Sequence, residues 1–472
     1  MNRSHKKLPI AVLGAGPAGL AAAWSLAQSG VPVIVIERED AVGGLCRTLS
    51  WNGYGFDLGG HRFLTDNQEI LSWIRNLMSD RLVERPRFSQ IVNRDRWYDY
   101  PPQWADALRQ GGPLFLARAG MSYMFHGLKR SWRGDKEVSF EDWVIARFGR
   151  PLYDLYFREY SEKLWGMKGS LISSRWAAQR VTVPSLARVI REMLPGKDNH
   201  PKTYASRFYY PVGGIGQICE ALAKDIRNAG GNILLSSKAI QIDTQGDRVL
   251  SVWVQGPEKP YRLDLAGCVS TLPLPHFIRS LSPSPSDASL QAATRLSFRG
   301  LRFLFLSLNC APLTPNTWIY VPEKRILFGR IQETAHWEPS LAPKGTSGLV
   351  LEIPCTSGDK IWNADSSKIL DRCLSDLRSI GMDIGPHLLE VHDYREPESY
   401  PIYHLDYEKD VEVCLDSLRG FNNLITTGRQ GLFRYNNMDH SLDMGRRAAA
   451  FIQGEMSRQN ALRVACDEHS FE

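Results

Sequence analysis

The chain has 472 residues, with 57 basic and 51 acidic side chains and a net charge of +6. That length exceeds one ordinary core and points to two or three domains, and 43% hydrophobic with 23% charged residues is a globular composition. The basic excess is too thin for nucleic acid, no Lys/Arg run reaches six residues, and no apolar stretch is long enough for a transmembrane helix. It does suit a phosphorylated or nucleotide ligand.

Cys46, Cys219, Cys268, Cys310, Cys355, Cys373, Cys414 and Cys466 form no CxxC and no zinc spacing. They read as reduced, mostly buried thiols of a cytoplasmic protein, and no metal site is expected. The N-terminus, MNRSHKKLPIAVLGAGPAGLAAAWSLA, mimics a secretion signal. Gly14, Gly16 and Pro17 break its apolar run, so strand, turn and helix is the better reading.

Leu8 to Leu13 suits a buried parallel strand. GAGPAG follows, then a helix closing at Gly30, then the strand VPVIVIE ending at Glu37. Gly14 permits the tight turn, Gly16 lets backbone approach a pyrophosphate, and Gly19 lets the helix pack closely on the strand. The helix start offers unpaired N–H groups and a positive dipole end to the diphosphate. Glu37 is placed for the ribose hydroxyls. The following REDAVGGLCRT (Arg38, Gly43, Gly44, Arg47) and FDLGGHRF (Asp57, Gly59, Gly60, His61) add glycine loops that suit a flat, extended cofactor. A simple NAD domain has no need of them, so FAD is the expected cofactor.

Together, GxGxxG…E and GG-x-x-R-T resemble the opening of the FAD-dependent amine oxidase and protoporphyrinogen oxidase superfamily. Within it, the chain is more closely similar to the UDP-galactopyranose mutases from about residue 8 to about 450. FDLGGHRF resembles that family's flavin-side histidine loop, and WYDYPPQ (Trp97 to Gln103) its uridine-pocket segment. FEDWVIARFGRPLYDLYFREYSEKLWG (Phe140 to Gly166) resembles its helical substrate domain. SSRWAAQRV (Ser173 to Val181) and TWIYVPEKRILFGRIQ (Thr317 to Gln332) resemble segments carrying two pyrophosphate-binding arginines, here Arg180 and Arg330, with Tyr320. GRQGLFRYNNMDHS resembles the segment that closes over the flavin, which implies roles for Gly428, Arg429, Met438, Asp439, His440 and Ser441. Ser441 is a candidate N-cap of the helix that follows.

The resemblance implies an α/β fold. Residues 1–95 with 205–275 and 420–459 are expected to form a discontinuous Rossmann-like FAD domain. Residues 96–204 are expected to be a helical insert, and 276–419 an antiparallel sheet substrate domain. Ser139 starts SFED, a capping-box-like helix entry. Trp104 to Arg133 mixes apolar and basic residues and fits either a membrane-touching helix or an ordinary one. The GGIG of Gly213 to Gly216 resembles a further backbone-over-flavin loop, and the chain near Ala239 is expected beside the adenine. From Leu301, short alternating or apolar segments suit strands.

What the resemblance implies for chemistry is a redox-neutral ring isomerisation of a nucleotide-activated sugar. Reduced flavin, through N5, attacks the anomeric carbon, the nucleotide leaves, the sugar opens and recloses, and the nucleotide returns. NAD(P)H is a candidate reductant. Arg180 and Arg330 would clamp the departing diphosphate. Tyr320, Arg429 and Tyr435 would add hydrogen bonds, and Tyr100 and Gln103 would frame a base. His61 would sit by the flavin. Tyr160, Ser161, Trp165 and Asn437 complete the expected substrate contacts, with Ser161 where eukaryotic-type mutases carry Asn. The competing expectation is hydride abstraction in the manner of an amine oxidase or protoporphyrinogen oxidase. A flavin-bearing binding protein leaves the arginine pair unexplained. A homo-oligomer stays open.

Overall fold

In the computed structural model, residues 7–100, 118, 121–122, 138–176 and 207–463 are described. Most of the 104–133 segment, Gln103 and Arg180 lie outside these residues.

The nucleotide motif lies at the centre of a parallel sheet. Its strand order is Leu424–Thr426, Gly267–Ser270, Ile10–Leu13, Val33–Ile36 and Asn232–Leu234. Ile10–Leu13 is buried on both faces, as its unbroken apolar run requires. Ile10 and Val12 pack toward helices Pro17–Gln28, Gly216–Asn228 and Met438–Ile452. Ala11 and Leu13 pack toward the antiparallel strands Lys238–Gln245 and Arg248–Gln255 on the other side.

Helix Met438–Ile452 lies directly on helix Pro17–Gln28. A Cβ on Gly445 would stand 2.1 Å from the Ala18 carbonyl oxygen, so only glycine permits this approach. The contact brings the far C-terminal segment beside the N-terminal motif.

A second, seven-stranded sheet has the order Leu388–Pro401, Phe298–Leu308, Ser347–Cys355, Arg330–Glu333, Trp318–Tyr320, Ser89–Asn93, Arg96–Asp99. It is antiparallel except for one parallel pair, Trp318–Tyr320 with Ser89–Ile91. The sheet is therefore mixed, and the hairpin at its edge comes from residues 89–99. Alternation along Phe298–Leu308 splits its two faces. Leu304, Leu306 and Leu308 meet helix Ser366–Ser379. Leu301, Phe303 and Phe305 share a core with Phe140, Trp143 and Trp165 of the helical insert. Helix Phe140–Phe148 of that insert opens at Ser139 with the expected capping box, closed by Asp142. Among the described residues, no helix is long and apolar enough to cross a membrane.

Arg302, on the same strand, has a fully buried side chain. Its guanidinium donates to Asp393 Oδ1 at 2.9 Å and to the carbonyls of Ile361 and Ala364 at 2.6 and 2.8 Å. Arg302→Met strands a carboxylate and two carbonyls, and should lower stability by about 3–5 kcal/mol. Urea unfolding should show a lower midpoint at unchanged slope.

Candidate functional site

The first turn is built as the spacing predicts. Gly14 has φ +98°, and a Cβ there would stand 2.3 Å from Thr271 Oγ1. For Gly19 the close neighbour is the turn itself: a Cβ would stand 2.0 Å from the Gly14 carbonyl oxygen, with Val12 of the strand behind at 3.4 Å. Gly16 caps helix Pro17–Gln28 without any side-chain hydrogen bond, so no side chain claims the helix-start N–H groups. A Cβ on Gly44 would stand 3.2 Å from Gly16 Cα, which leaves a side-chain-free cradle between the two loops.

Glu37 is buried and fixed. Its carboxylate accepts the Ala15 N–H at 2.7 Å and the Glu39 N–H at 3.0 Å. Ser236 and Ser237 donate their N–H groups to the carbonyls of Glu39 and Glu37 at 2.7 and 2.8 Å. They thereby tie the chain entering Ala239 to the backbone of residues 37–39. Arg38 is exposed and pairs with Glu39 at 3.1 Å. Arg47 is buried and donates to the Gly44 carbonyl at 3.1 Å and to Tyr394 Oη at 2.6 Å.

The next loop carries Asp57, which accepts hydrogen bonds from Thr48 Oγ1 at 2.7 Å, the Ile215 N–H at 3.3 Å and Tyr210 Oη. Burial pushes its carboxyl up to about 6. The GGIG segment is anchored by this network, since Gly216 N–H donates to Thr48 Oγ1 at 2.9 Å. Gly59 and Gly60 sit over Glu352 and Trp318. One ring nitrogen of His61, Nε2, bonds the Leu58 carbonyl at 3.1 Å. Burial, reinforced by Arg429 and Arg330, pushes its imidazole down to about 4, so it is neutral at pH 7.

The C-terminal segment turns at Gly428, φ +83°. Arg429 donates to the carbonyls of Asn436 and Ser399 and lies 4.8 Å over the Tyr435 ring. The N-cap of helix Met438–Ile452 is Asn437, not Ser441. Asn437 N–H donates to His440 Nδ1 at 3.3 Å in a reciprocal box, while Ser441 lies inside the first turn and its hydroxyl reaches Asn436 Oδ1 at 3.4 Å. Asp439 is buried at this helix start with Oδ1 lacking a hydrogen-bond partner among the described residues.

The substrate face lies on the mixed sheet. Cross-strand register sets Tyr320 opposite Arg330 and Arg330 opposite Glu352, on one face. Arg330 forms an ion pair with buried Glu352 and donates to Tyr400 Oη at 2.6 Å. Glu352 also accepts from Gln332 at 2.7 Å and from the Gly60 N–H at 3.4 Å. Tyr320 stacks on Tyr100 at 4.7 Å and on Trp318 at 5.5 Å, and Tyr160 meets it edge-on at 6.3 Å. Tyr400 stacks on Tyr435 at 5.3 Å.

Residues 17–452 match the family model for flavin containing amine oxidoreductases. The chain belongs to that family. Its flavin implies FAD, and the cradle of Gly14, Gly16 and Gly44, the uncapped helix start and Glu37 fit that cofactor. This flavoprotein is 25% identical to a phytoene dehydrogenase of Streptomyces griseus over 417 residues, 78% of each chain. It is 26% identical to a probable UDP-galactopyranose mutase of Klebsiella pneumoniae over 223 residues, 45% of this chain and 52% of that one. The crystal structure of a reduced UDP-galactopyranose mutase superposes with a TM-score of 0.82 at 22% identity, covering 97% and 96% of the two chains, which shows a shared fold.

Two expected contacts of the flavoprotein are altered by its geometry. Ser161 is buried and donates to the Phe157 carbonyl of its own helix at 2.6 Å, so its hydroxyl is turned away from a ligand. Trp165 is buried among Trp176, Tyr400 and Tyr403 and supports the wall behind the site. Glu352, Tyr400 and Trp318, with Arg62 over the Trp318 ring and Arg87 over the Tyr100 ring, lie on this face without having been expected. Glu352 had a signal, a lone acid in the apolar run SGLVLEIP.

His61 generates a pH prediction. Its folded-state pKa lies below the usual 6.5, so the unfolded chain takes up the proton first and stability falls as pH drops from 6.5 to 4, by up to about 3 kcal/mol. Asp57, raised to about 6, works in the opposite direction between its ordinary value and 6. The readout is therefore the difference between variants. Urea midpoints of His61→Asn should fall less than the parent's over this range.

Proposed function

We propose that this flavoenzyme acts on a nucleotide-activated sugar and isomerises its ring with no net oxidation. The observation that carries the reading is the substrate face itself. Arg330 and Arg429 both lie over the Tyr400 ring, Arg429 also lies over Tyr435, Tyr100 and Tyr160 pack on Tyr320 opposite Arg330, and the buried Glu352 pairs with Arg330. Guanidinium forks suit a diphosphate, and stacked phenol rings suit a base and a sugar. The fold shared with a reduced UDP-galactopyranose mutase supports it.

When bound and reduced, FAD supplies the nucleophilic chemistry that such an isomerisation needs. The chain's own groups do the rest. Neutral His61, with its Nε2–H given to the Leu58 carbonyl, keeps Nδ1 as an acceptor and adds no charge there. Tyr400, held by Arg330, presents an oriented hydroxyl. Arg330 and Arg180 hold the departing diphosphate, with Arg330 fixed in direction by Glu352. The second reading is hydride abstraction from a small-molecule substrate, which the likeness to a phytoene dehydrogenase favours. It calls for an apolar slot, whereas the described site is rich in arginine and tyrosine.

Anaerobic protein reduced with dithionite should convert one of a panel of nucleotide-sugars to an isomer and leave the flavin reduced at the end. No isomer from any of them, with bleaching of the oxidised protein by an amine or polyene, would sink the proposal. Arg180→Ala should weaken UDP binding about tenfold or more, read by calorimetry.

A further inference from the structure

We propose that Arg62 binds a phosphate-class oxyanion at the substrate face, with Arg87 beside it. Arg62 follows His61 in the flavin-side loop, and its guanidinium lies 5.5 Å over the Trp318 ring. Arg330 lies over the same ring at 5.1 Å. The two cations differ in their surroundings. Arg330 has Glu352 as its counter-charge. Among the described residues, Arg62 has neither a carboxylate within ion-pair reach nor a hydrogen-bond acceptor.

Arg62 is half-buried, and this partial desolvation together with the positive charge of Arg87 holds its guanidinium below its ordinary range. Arg87 lies 5.4 Å over Tyr100, which stacks on Tyr320. The indole Nε1 of Trp318 is buried and has no acceptor among the described residues. Thus, among the described residues, a cation without an anion and a donor without an acceptor belong to the same pair of side chains. Such groups are unfavourable unless something supplies the missing partner. A tetrahedral oxyanion does so, because a guanidinium fork matches two of its oxygens. This deepens the nucleotide-sugar reading and rests on it for the source of the anion, the diphosphate.

Inorganic pyrophosphate, UDP and uridine are titrated calorimetrically into the flavin-loaded parent and Arg62→Gln. Pyrophosphate and UDP affinities should fall about tenfold or more in the variant, while uridine binding and flavin content hold. Equal affinities in a variant that retains its flavin overturn the assignment. Should Arg62→Gln lose its flavin, the parent decides alone. Pyrophosphate should then shield Arg62 from phenylglyoxal in peptide mass mapping, and an unshielded Arg62 overturns the assignment. Arg62-dependent pyrophosphate binding with no nucleotide-sugar isomerised leaves the anion subsite standing and removes the mutase reading. Isomerisation equally fast in Arg62→Gln, with unchanged pyrophosphate affinity, does the reverse.

Discussion

One buried carboxylate joins the two halves of the site. Glu352 sits mid-strand in the mixed sheet, pairs with Arg330 on the next strand, and accepts the N–H of Gly60 from the flavin-side loop. A carboxylate in such a place is costly to desolvate and is retained only where its partners are well placed. The pair therefore acts as a fixed pin. It sets the direction of Arg330, and through Arg330 the hydroxyl of Tyr400. It also holds the glycine loop that carries His61 against the substrate sheet. Much of the Arg330 charge is met from within the protein, which changes what an anion would gain there.

The cofactor half has a different logic, built on missing side chains. Gly16 and Gly44 face each other across a gap free of side chains, beside the turn that Gly14 makes. Glu37 closes one end with a carboxylate held by backbone N–H groups. The helix from Met438 closes the other, seated through Gly445 on Ala18. Rigid backbone on three sides is what a long dinucleotide needs, since its many rotatable bonds must be ordered on binding.

The parts of this arrangement legible in the sequence are the local ones. Glycine spacing, strand runs and the terminal acid of the first βαβ unit report conformation within a few residues of themselves. The same holds for the capping box at Ser139. What escaped needed register or rotamer. Glu352 meets Arg330 because two strands align, and no spacing rule contains that alignment. Ser161 occupies the aligned position, but its hydroxyl turns back onto the helix, as serine does when an i−4 carbonyl is within reach. Ser441 and Asn437 are both good caps, and the helix begins at the earlier one, where His440 completes the box.

The seating of Gly445 on Ala18 has a consequence in time. The motif at Gly14 leaves the ribosome well before the helix Met438–Ile452 that packs on its helix. Roughly 400 residues separate them, which at about 5–20 residues per second is a wait on the order of 20–80 s. The central strand Ile10–Leu13 also waits for its neighbour Gly267–Ser270. During synthesis the nascent chain therefore presents an apolar strand and an open cofactor trough. The trough can be closed only once helix Met438–Ile452 has been made and has docked on helix Pro17–Gln28.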